Sequence, residues 1–327
     1  MDQAPELSRR QTLVGGLTLA TGLTAYSASA SAQTYPDRPV KAIVPYSPGS
    51  GADVTARLTL GYLATELKQS VVIENRPGAG AIAGTQAVAQ AAPNGYTILF
   101  CATQHAINPS AQESLPYDTQ KDFIAVARVT TQPLFLAVPA SLPVNSVAEL
   151  IAFLKASPGK YNYGSTGLGT SIHLAGAYFA AQAGLSMTHV PYKDAGQCIM
   201  DLARGEYQVI FYTYQPLEAQ LAEKKIKLLG STGNARSSWA PAIPTMEEAG
   251  MKGFVMPAWH GVFLPANTPE PIVKTLELAL AKVAADPAYR ASLLPTGTDV
   301  FFATSKDFGD FVASEIIRFA AITAQNK

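Results

Sequence analysis

Three stretches of this chain join glycine to small hydroxyl side chains between an apolar run and a helical pattern. They are Tyr46-Ser47-Pro48-Gly49-Ser50-Gly51-Ala52-Asp53, Asn75-Arg76-Pro77-Gly78-Ala79-Gly80-Ala81 and Tyr163-Gly164-Ser165-Thr166-Gly167-Leu168-Gly169-Thr170-Ser171. A strand, a loop of this kind and a helix together make an anion site. The first helical N–H groups lack internal partners, the helix dipole leaves partial positive charge there, and glycine lets the backbone approach a ligand. Ser47, Ser50, Ser165, Thr166, Thr170 and Ser171 add uncharged donors.

Nucleotide chemistry does not fit these loops. No Gly-Lys-Ser/Thr follows any of them, which excludes a P-loop. Gly78-x-Gly80-x-x-x-Gly84 misses the dinucleotide spacing by one residue and follows the second strand, not the first. The second loop therefore reads equally as a tight turn with close helix–sheet packing. The first and third loops, roughly 110 residues apart, make the better pair. On different lobes they would clamp an anionic ligand between two helix N-termini. Charge-assisted hydrogen bonds contribute about 1.5–3 kcal/mol each, and micromolar affinity needs about 8 kcal/mol. Four or five neutral donors therefore suffice for a carboxylate. Asp53 is expected to cap its helix and face away from the anion.

Residues for catalysis are sparse. His105, His173, His189 and His260 have no metal-ligand spacing with one another or with Cys101 and Cys198, so no metal is expected. Ser165 lacks a nucleophile elbow, and His173, eight residues on, is poorly placed as its base. A Ser–His pair assembled from distant positions stays open, and with it an exported hydrolase as a remote alternative.

The elements that must position these loops alternate between strand and helix. VKAIVPY precedes the helix from Asp53, SVVIEN a helix around AIAGTQAVAQAA, and YTILFCAT, FIAVARVT and LFLAVPA read as strands. SVAELIAFLKAS is a helix with Ser146 as cap and Glu149 three residues on. YNYG, MTHVPY, YQVIFYTY and KIKLLGST are strands around helices at IHLAGAYFAAQAG and GQCIMDLARGE. This alternation predicts α/β with crossover helices and largely parallel pairing. Two helices split at Asp286-Pro287 and a terminal helix capped by Ser305 are expected to return to the first lobe.

The start is a targeting segment: Arg9-Arg10, an apolar stretch from Thr12 to Ala25, then Ala30-Ser31-Ala32. Residues 1–32 read as a secretory signal, twin-arginine in type, cleaved before Gln33. Removing Asp2, Glu6, Arg9 and Arg10 leaves 22 basic and 22 acidic residues. That balance argues against nucleic acid and acidic membrane surfaces. The mature 33–327 exceeds what one core usually serves. Cys101 and Cys198 are expected as separate buried thiols.

Many short motifs in order carry a resemblance. They include Tyr35-Pro-Asp-Arg-Pro39, Val44-Pro-Tyr-Ser-Pro-Gly49, Glu74-Asn-Arg-Pro-Gly-Ala-Gly80, Ala92-Pro-Asn-Gly-Tyr-Thr97 and Leu115-Pro-Tyr-Asp118. Pro158-Gly-Lys-Tyr-Asn-Tyr-Gly-Ser165, His189-Val-Pro-Tyr-Lys193, Trp259-x-Gly261 and Pro265-x-x-Thr-Pro269 follow. Through these the chain resembles the Bug family, extracytoplasmic solute receptors of tripartite tricarboxylate transporters, over nearly all of its mature length. The resemblance implies a two-lobed periplasmic-binding-protein fold, type II-like, with two mixed sheets flanked by helices and a central cleft. The lobes would be 33–135 plus 255–327, and 136–254.

It also implies a site. One carboxylate would be held by Tyr46, Ser47, Gly49, Ser50, Gly51 and Ala52 and, from the other lobe, by Ser165, Thr166, Gly169, Thr170 and Ser171. Thr103, His105 and Tyr192 would contribute nearby. Tyr212 stands where many members carry an aspartate, and with Trp259 and His260 it would suit a flat or apolar ligand body. The expected protein is a soluble, monomeric periplasmic receptor with no cofactor. It would deliver a small carboxylate, an aromatic one such as a phthalate isomer being favoured over C4–C6 dicarboxylates or tricarboxylates, to the membrane components of its transporter. A sensor docking on a signalling domain is the alternative.

Overall fold

A computed structural model of the chain describes residues 35–78, 80–238 and 240–324. The targeting segment expected at 1–32 lies outside them, and no described helix is long and apolar enough to cross a membrane. The described chain opens with β1 (Val40–Val44), α1 (Gly51–Leu67), β2 (Val71–Asn75), α2 (Ile82–Ala89) and β3 (Thr97–Ala102). Next come α3 (Gln104–Ala111) and β4 (Phe123–Gln132). After an excursion the chain returns as β10 (Ala258–Pro265), α8 (Glu270–Ala285), α9 (Pro287–Leu293), β11 (Asp299–Ala303) and α10 (Ser305–Ala324). The six strands form one sheet in the order β11-β4-β10-β3-β1-β2.

β1 pairs parallel with β2 and β3, but β10 runs antiparallel to both β3 and β4. The sheet is mixed, not largely parallel as the local alternation suggested, because the returning strand inserts between two strands laid down earlier. Residues on α8 such as Leu276 and Leu280 join Val40 and Leu60 in the core on one face. Phe308 and Phe319 of α10 join Trp259 and Phe263 on the other. The carboxy-terminal helices thus return to the first sheet, as expected.

The excursion holds β5 (Phe135–Pro139), α4 (Val147–Lys155), β6 (Tyr161–Ser165), α5 (Ser171–Ala183) and β7 (Met187–Pro191). It continues with α6 (Ala195–Arg204), β8 (Ile210–Tyr212), α7 (Tyr214–Ala222) and β9 (Ile226–Ser231). β5 sits antiparallel between β8 and β9, and β6 pairs parallel with β7. A parallel bridge between Tyr163 and Val209 joins the two groups. The caps read from sequence hold here. Ser146 Oγ accepts Glu149 N–H at 3.1 Å, and Gly184 ends α5 in the left-handed region. Cys101 and Cys198 are free and buried.

Only Pro133 and Leu134 separate β4 from β5, and the chain comes back through residues 232–257. Both passages are tied to one buried residue, Thr232. Its N–H donates to Leu134 O at 2.8 Å, and its Oγ1 accepts Leu134 N–H at 2.9 Å. On its other side, Met256 N–H donates to Thr232 O at 2.9 Å, and Thr232 Oγ1 donates to Met256 O at 3.0 Å.

Candidate functional site

The first loop is held from behind. Ser50, extended at φ −66° and ψ 158°, caps α1 by accepting Asp53 N–H at 3.3 Å. Asp53 is therefore not the cap. It is fully buried in the first turn, where its carboxylate accepts Gly49 N–H at 2.8 Å, Arg57 Nε at 2.9 Å and Asn75 Nδ2 at 2.7 Å. Burial alone would raise its pKa. The Arg57, Asn75 and Gly49 bonds outweigh it and hold the group below the usual carboxylate range. The Gly49 amide, expected to meet a ligand, is thus occupied by Asp53, and Ser50 N–H is occupied by Ser47 O. Gly51 and Ala52 N–H, the first two of the helix, have no acceptor among the described residues and stay available to an anion. The Tyr46 hydroxyl accepts Ala102 N–H at 2.9 Å and contacts Cys101 Sγ, so it faces the sheet and not the loop mouth.

The third loop is braced by a histidine that the motif reading quoted but gave no role. Ser165 is fully buried, and its Oγ lies 2.7 Å from His189 Nε2 and accepts Gly167 N–H at 3.0 Å. Thr170 Oγ1 donates to Gly167 O at 2.8 Å and accepts His173 N–H as cap of α5. Gly169 N–H donates to His173 Nδ1 at 3.3 Å. The rings of His173 and His189 lie 4.3 Å apart. Burial first, then the neighbouring His189, push His173 down to about 4, and burial lowers His189. At neutral pH this bracing is uncharged. Thr166 and Ser171 are half-buried at the helix entry, and their hydroxyls have no hydrogen-bond partner among the described residues. Ser165 beside His189 has the spacing of a nucleophile and base. But Ser165 is sealed from solvent, and no described carboxylate is hydrogen-bonded to the other nitrogen of His189.

A cleft of about 450 Å3 lies where the third loop faces the first sheet's helices. Leu168, Gly169, Thr170, His173 and Leu174 form one wall, and Gly80, Gln104, Ala111 and Gln112 the opposite one, with Thr323 of α10 at an end. No lining side chain is an acid, lysine or arginine. The glycine loop across from the third is thus the second, not the first as expected. Gly80 takes φ +66° and its carbonyl accepts Asn108 Nδ2 at 2.9 Å. Close helix–strand packing is also present, since a Cβ at Gly84 would stand 2.7 Å from Pro45 Cβ. A more open groove of about 530 Å3 carries Glu113 and Asp118 and would repel an anion.

The remaining expected contacts lie elsewhere. His105 is fully buried against Phe263, Phe123 and Tyr117, with neither ring nitrogen partnered, and burial pushes it down to about 3. Thr103 Oγ1 accepts Trp259 N–H at 2.9 Å, so it clasps β3 to β10. Trp259 is fully buried under α10, its Nε1 donating to Glu315. His260, its neighbour on β10, belongs to the other face of the sheet, stacked on Phe100 with Nδ1 2.8 Å from Thr130 Oγ1. Tyr212 is buried in the core that contains Cys198 and Ile210. Tyr192 packs on Tyr207 while its N–H donates to Ser165 O at 2.8 Å. The aromatic far end expected from Tyr212, Trp259 and His260 is therefore not assembled, because strand alternation turns two of the three into opposite cores.

The profile of the "Tripartite tricarboxylate transporter family receptor" matches residues 55–326. The chain belongs to this family. It is 35% identical to a UPF0065 protein of Bordetella pertussis over 299 residues, 90% of this chain and 92% of that one. Its fold superposes on a TctC solute binding protein from Polaromonas with a TM-score of 0.80, at 28% identity over 89% of this chain and all of that one. An R. palustris protein solved with adipate gives 0.75, at 29% identity over 89% of this chain and 98% of that one. The receptor thus has the two-lobed periplasmic-binding-protein fold.

Proposed function

We propose that the receptor captures a small linear dicarboxylate of C4–C6 length between its lobes and delivers it unchanged to the membrane components of a tripartite transporter. The observation that carries this reading is the cleft itself, in which uncharged donors from both lobes face each other across 450 Å3. Gln112 stands on one wall, and the free amides at the start of α5 with the Thr166 and Ser171 hydroxyls on the other, while Thr170 Oγ1 is committed to Gly167 O and Gln104 Nε2 to Asn108 Oδ1 at 2.7 Å and Gly169 O at 3.5 Å. Such donors bind a carboxylate without the desolvation cost of a buried ion pair. A solved relative is described with adipate, which supports the ligand class. An aromatic carboxylate has less support, because Trp259 and His260 belong to the first-lobe core. Closure adds contacts from the second wall only in the ligand-bound state, and so shifts the population toward it.

The test is a thermal-shift screen over succinate, adipate, citrate and terephthalate. A ligand at 100 times its Kd adds about 2.7 kcal/mol, or roughly 4 °C for a chain of this size. Recovery of the ligand unchanged after long incubation is expected. No shift with any of the four, or conversion of one, would overturn the reading.

A further inference from the structure

We infer that Leu168 is the residue that selects ligand length, by covering the apolar body of the bound molecule. This rests on the reading of the cleft as a dicarboxylate site. Leu168 is 76% exposed, more than any other large hydrophobic side chain among the described residues. Exposed apolar residues scattered over a surface need no explanation. This one is different in place and in support. It lines the cleft between the lobes, which Val72, Met200, Leu278 and Ile317 do not.

Two glycines dictate its position. Gly167 at φ +126° and Gly169 at φ +72° flank it, both in conformations that side chains rarely adopt. Nothing lies within 4 Å of a Cβ placed on Gly167, so its backbone conformation, not crowding, calls for glycine there. Gly169 faces the opposite wall, where its Cβ would meet that of Ala111 at 3.3 Å. The loop is thus built to present one leucine at its tip, braced below by Ser165, Thr170, His173 and His189.

The chemistry around it completes the case. Ala111 and Leu174 supply further apolar surface in the same cleft, while Gln104, Gln112, Thr170 and Thr323 supply neutral polar groups. A ligand with polar ends and a methylene middle matches that mixture. An all-polar one leaves Leu168 against water or against a hydroxyl. Each additional methylene covered by the leucine strengthens binding by the usual transfer term, so adipate should be held more tightly than succinate, which is two methylenes shorter. The exposed leucine is covered only when ligand is present, which makes it a contact of the bound state.

The experiment measures succinate and adipate affinities by calorimetry for the full receptor and for Leu168→Ala and Leu168→Met. The wild type is expected to prefer adipate by about tenfold, the worth of two covered methylenes less ordering losses. In Leu168→Ala that preference should collapse to about twofold or less, while Leu168→Met, which keeps a long apolar side chain, restores most of it. Thermal midpoints of the unliganded variants should match the wild type, since an exposed side chain is being changed. An adipate-to-succinate ratio that Leu168→Ala leaves intact overturns the assignment and points to a protein partner for the leucine. An equal loss for both ligands also overturns it, because that is the signature of a displaced loop. If the wild type binds neither compound, the dicarboxylate reading itself fails and this inference falls with it.

Discussion

Acidification should weaken the unliganded receptor in a way set by its buried histidines. Burial pushes His105 down to about 3, and His173 and His260 to about 4, while an unfolded histidine titrates near 6.5. For His173 the neighbouring His189 adds to burial, and for His260 Arg128 does. A folded-state pKa below the unfolded one means that the unfolded chain takes up the proton first as pH falls. The stability from these three groups is therefore complete above about pH 7 and is lost progressively toward pH 4. At pH 5 the unfolded state gains about 1.5 units of protonation free energy per histidine, or about 2 kcal/mol each and about 6 kcal/mol in all. Asp53, Glu74, Asp118 and Glu248, whose pKa values are lowered, start to lose their contributions only below about pH 5. Burial raises Glu315, which works in the opposite sense and trims the loss. For a chain this long the midpoint should fall by roughly 10 °C between pH 7.5 and pH 5. His105→Leu isolates one term, since it removes two buried, unpartnered nitrogens from an apolar box. It should be neutral to stabilising at pH 7.5 and should shrink the acid loss by about 2 kcal/mol. Thermal unfolding at the two pH values measures the midpoint, and urea unfolding the free energies. A midpoint that moves less than about 3 °C, or a variant with the wild-type pH dependence, would refute the argument.

Two further outcomes follow from the backbone. Gly51→Pro should fold with near-wild-type stability, because position 51 opens α1 and the preceding Ser50 is already extended, both favourable to proline. It deletes a free amide of the first loop, so carboxylate affinity by calorimetry should drop at least tenfold if that loop anchors the ligand, and unchanged affinity would assign the anchor to the third loop alone. Gly261→Ala and Gly61→Ala should have opposite signs in thermal unfolding. A Cβ at 261 would drive into the Phe308 ring and sit 3.0 Å from Ala127 O, costing about 1–3 kcal/mol. Gly61 has open space around it in the exposed interior of α1, so alanine should gain about 0.5–1 kcal/mol.

Local signals carried the fold a long way. The capping pair Ser146/Glu149, the Gly184 stop and the break at Asp286-Pro287 were legible because each is decided within one turn of helix. Two caps slipped. Ser50, not Asp53, caps α1, and Thr304, not Ser305, accepts Asp307 N–H at α10. In both a neighbouring residue also suits a cap, and only the entry angle of the chain chooses. β10 went unread as a strand because residues 259–264 are buried on both faces, which erases the alternation that marks a half-exposed strand. α7 was hidden by the apolar run YQVIFYTY, which crosses from strand to helix at Thr213 without a turn residue. The site was half legible. Gly169 and Thr170 do line the cleft, while Gln104, Gln112, Leu168 and His173 depend on which helices the tertiary fold brings opposite. No local pattern could separate Trp259 and His260 into different cores, since that needs the partners of β10 on both sides.

Thr232 has a kinetic consequence. Two chain passages between the lobes could in principle flex separately, and a ligand would then escape through many partial openings. Here Leu134 and Met256 are stitched to opposite sides of the same residue by four hydrogen bonds of 2.8–3.0 Å. Any swing of one passage drags the other, as two leaves of a door share one pin. A hinge whose two passages share one residue is therefore expected to open in a concerted movement and not piecemeal.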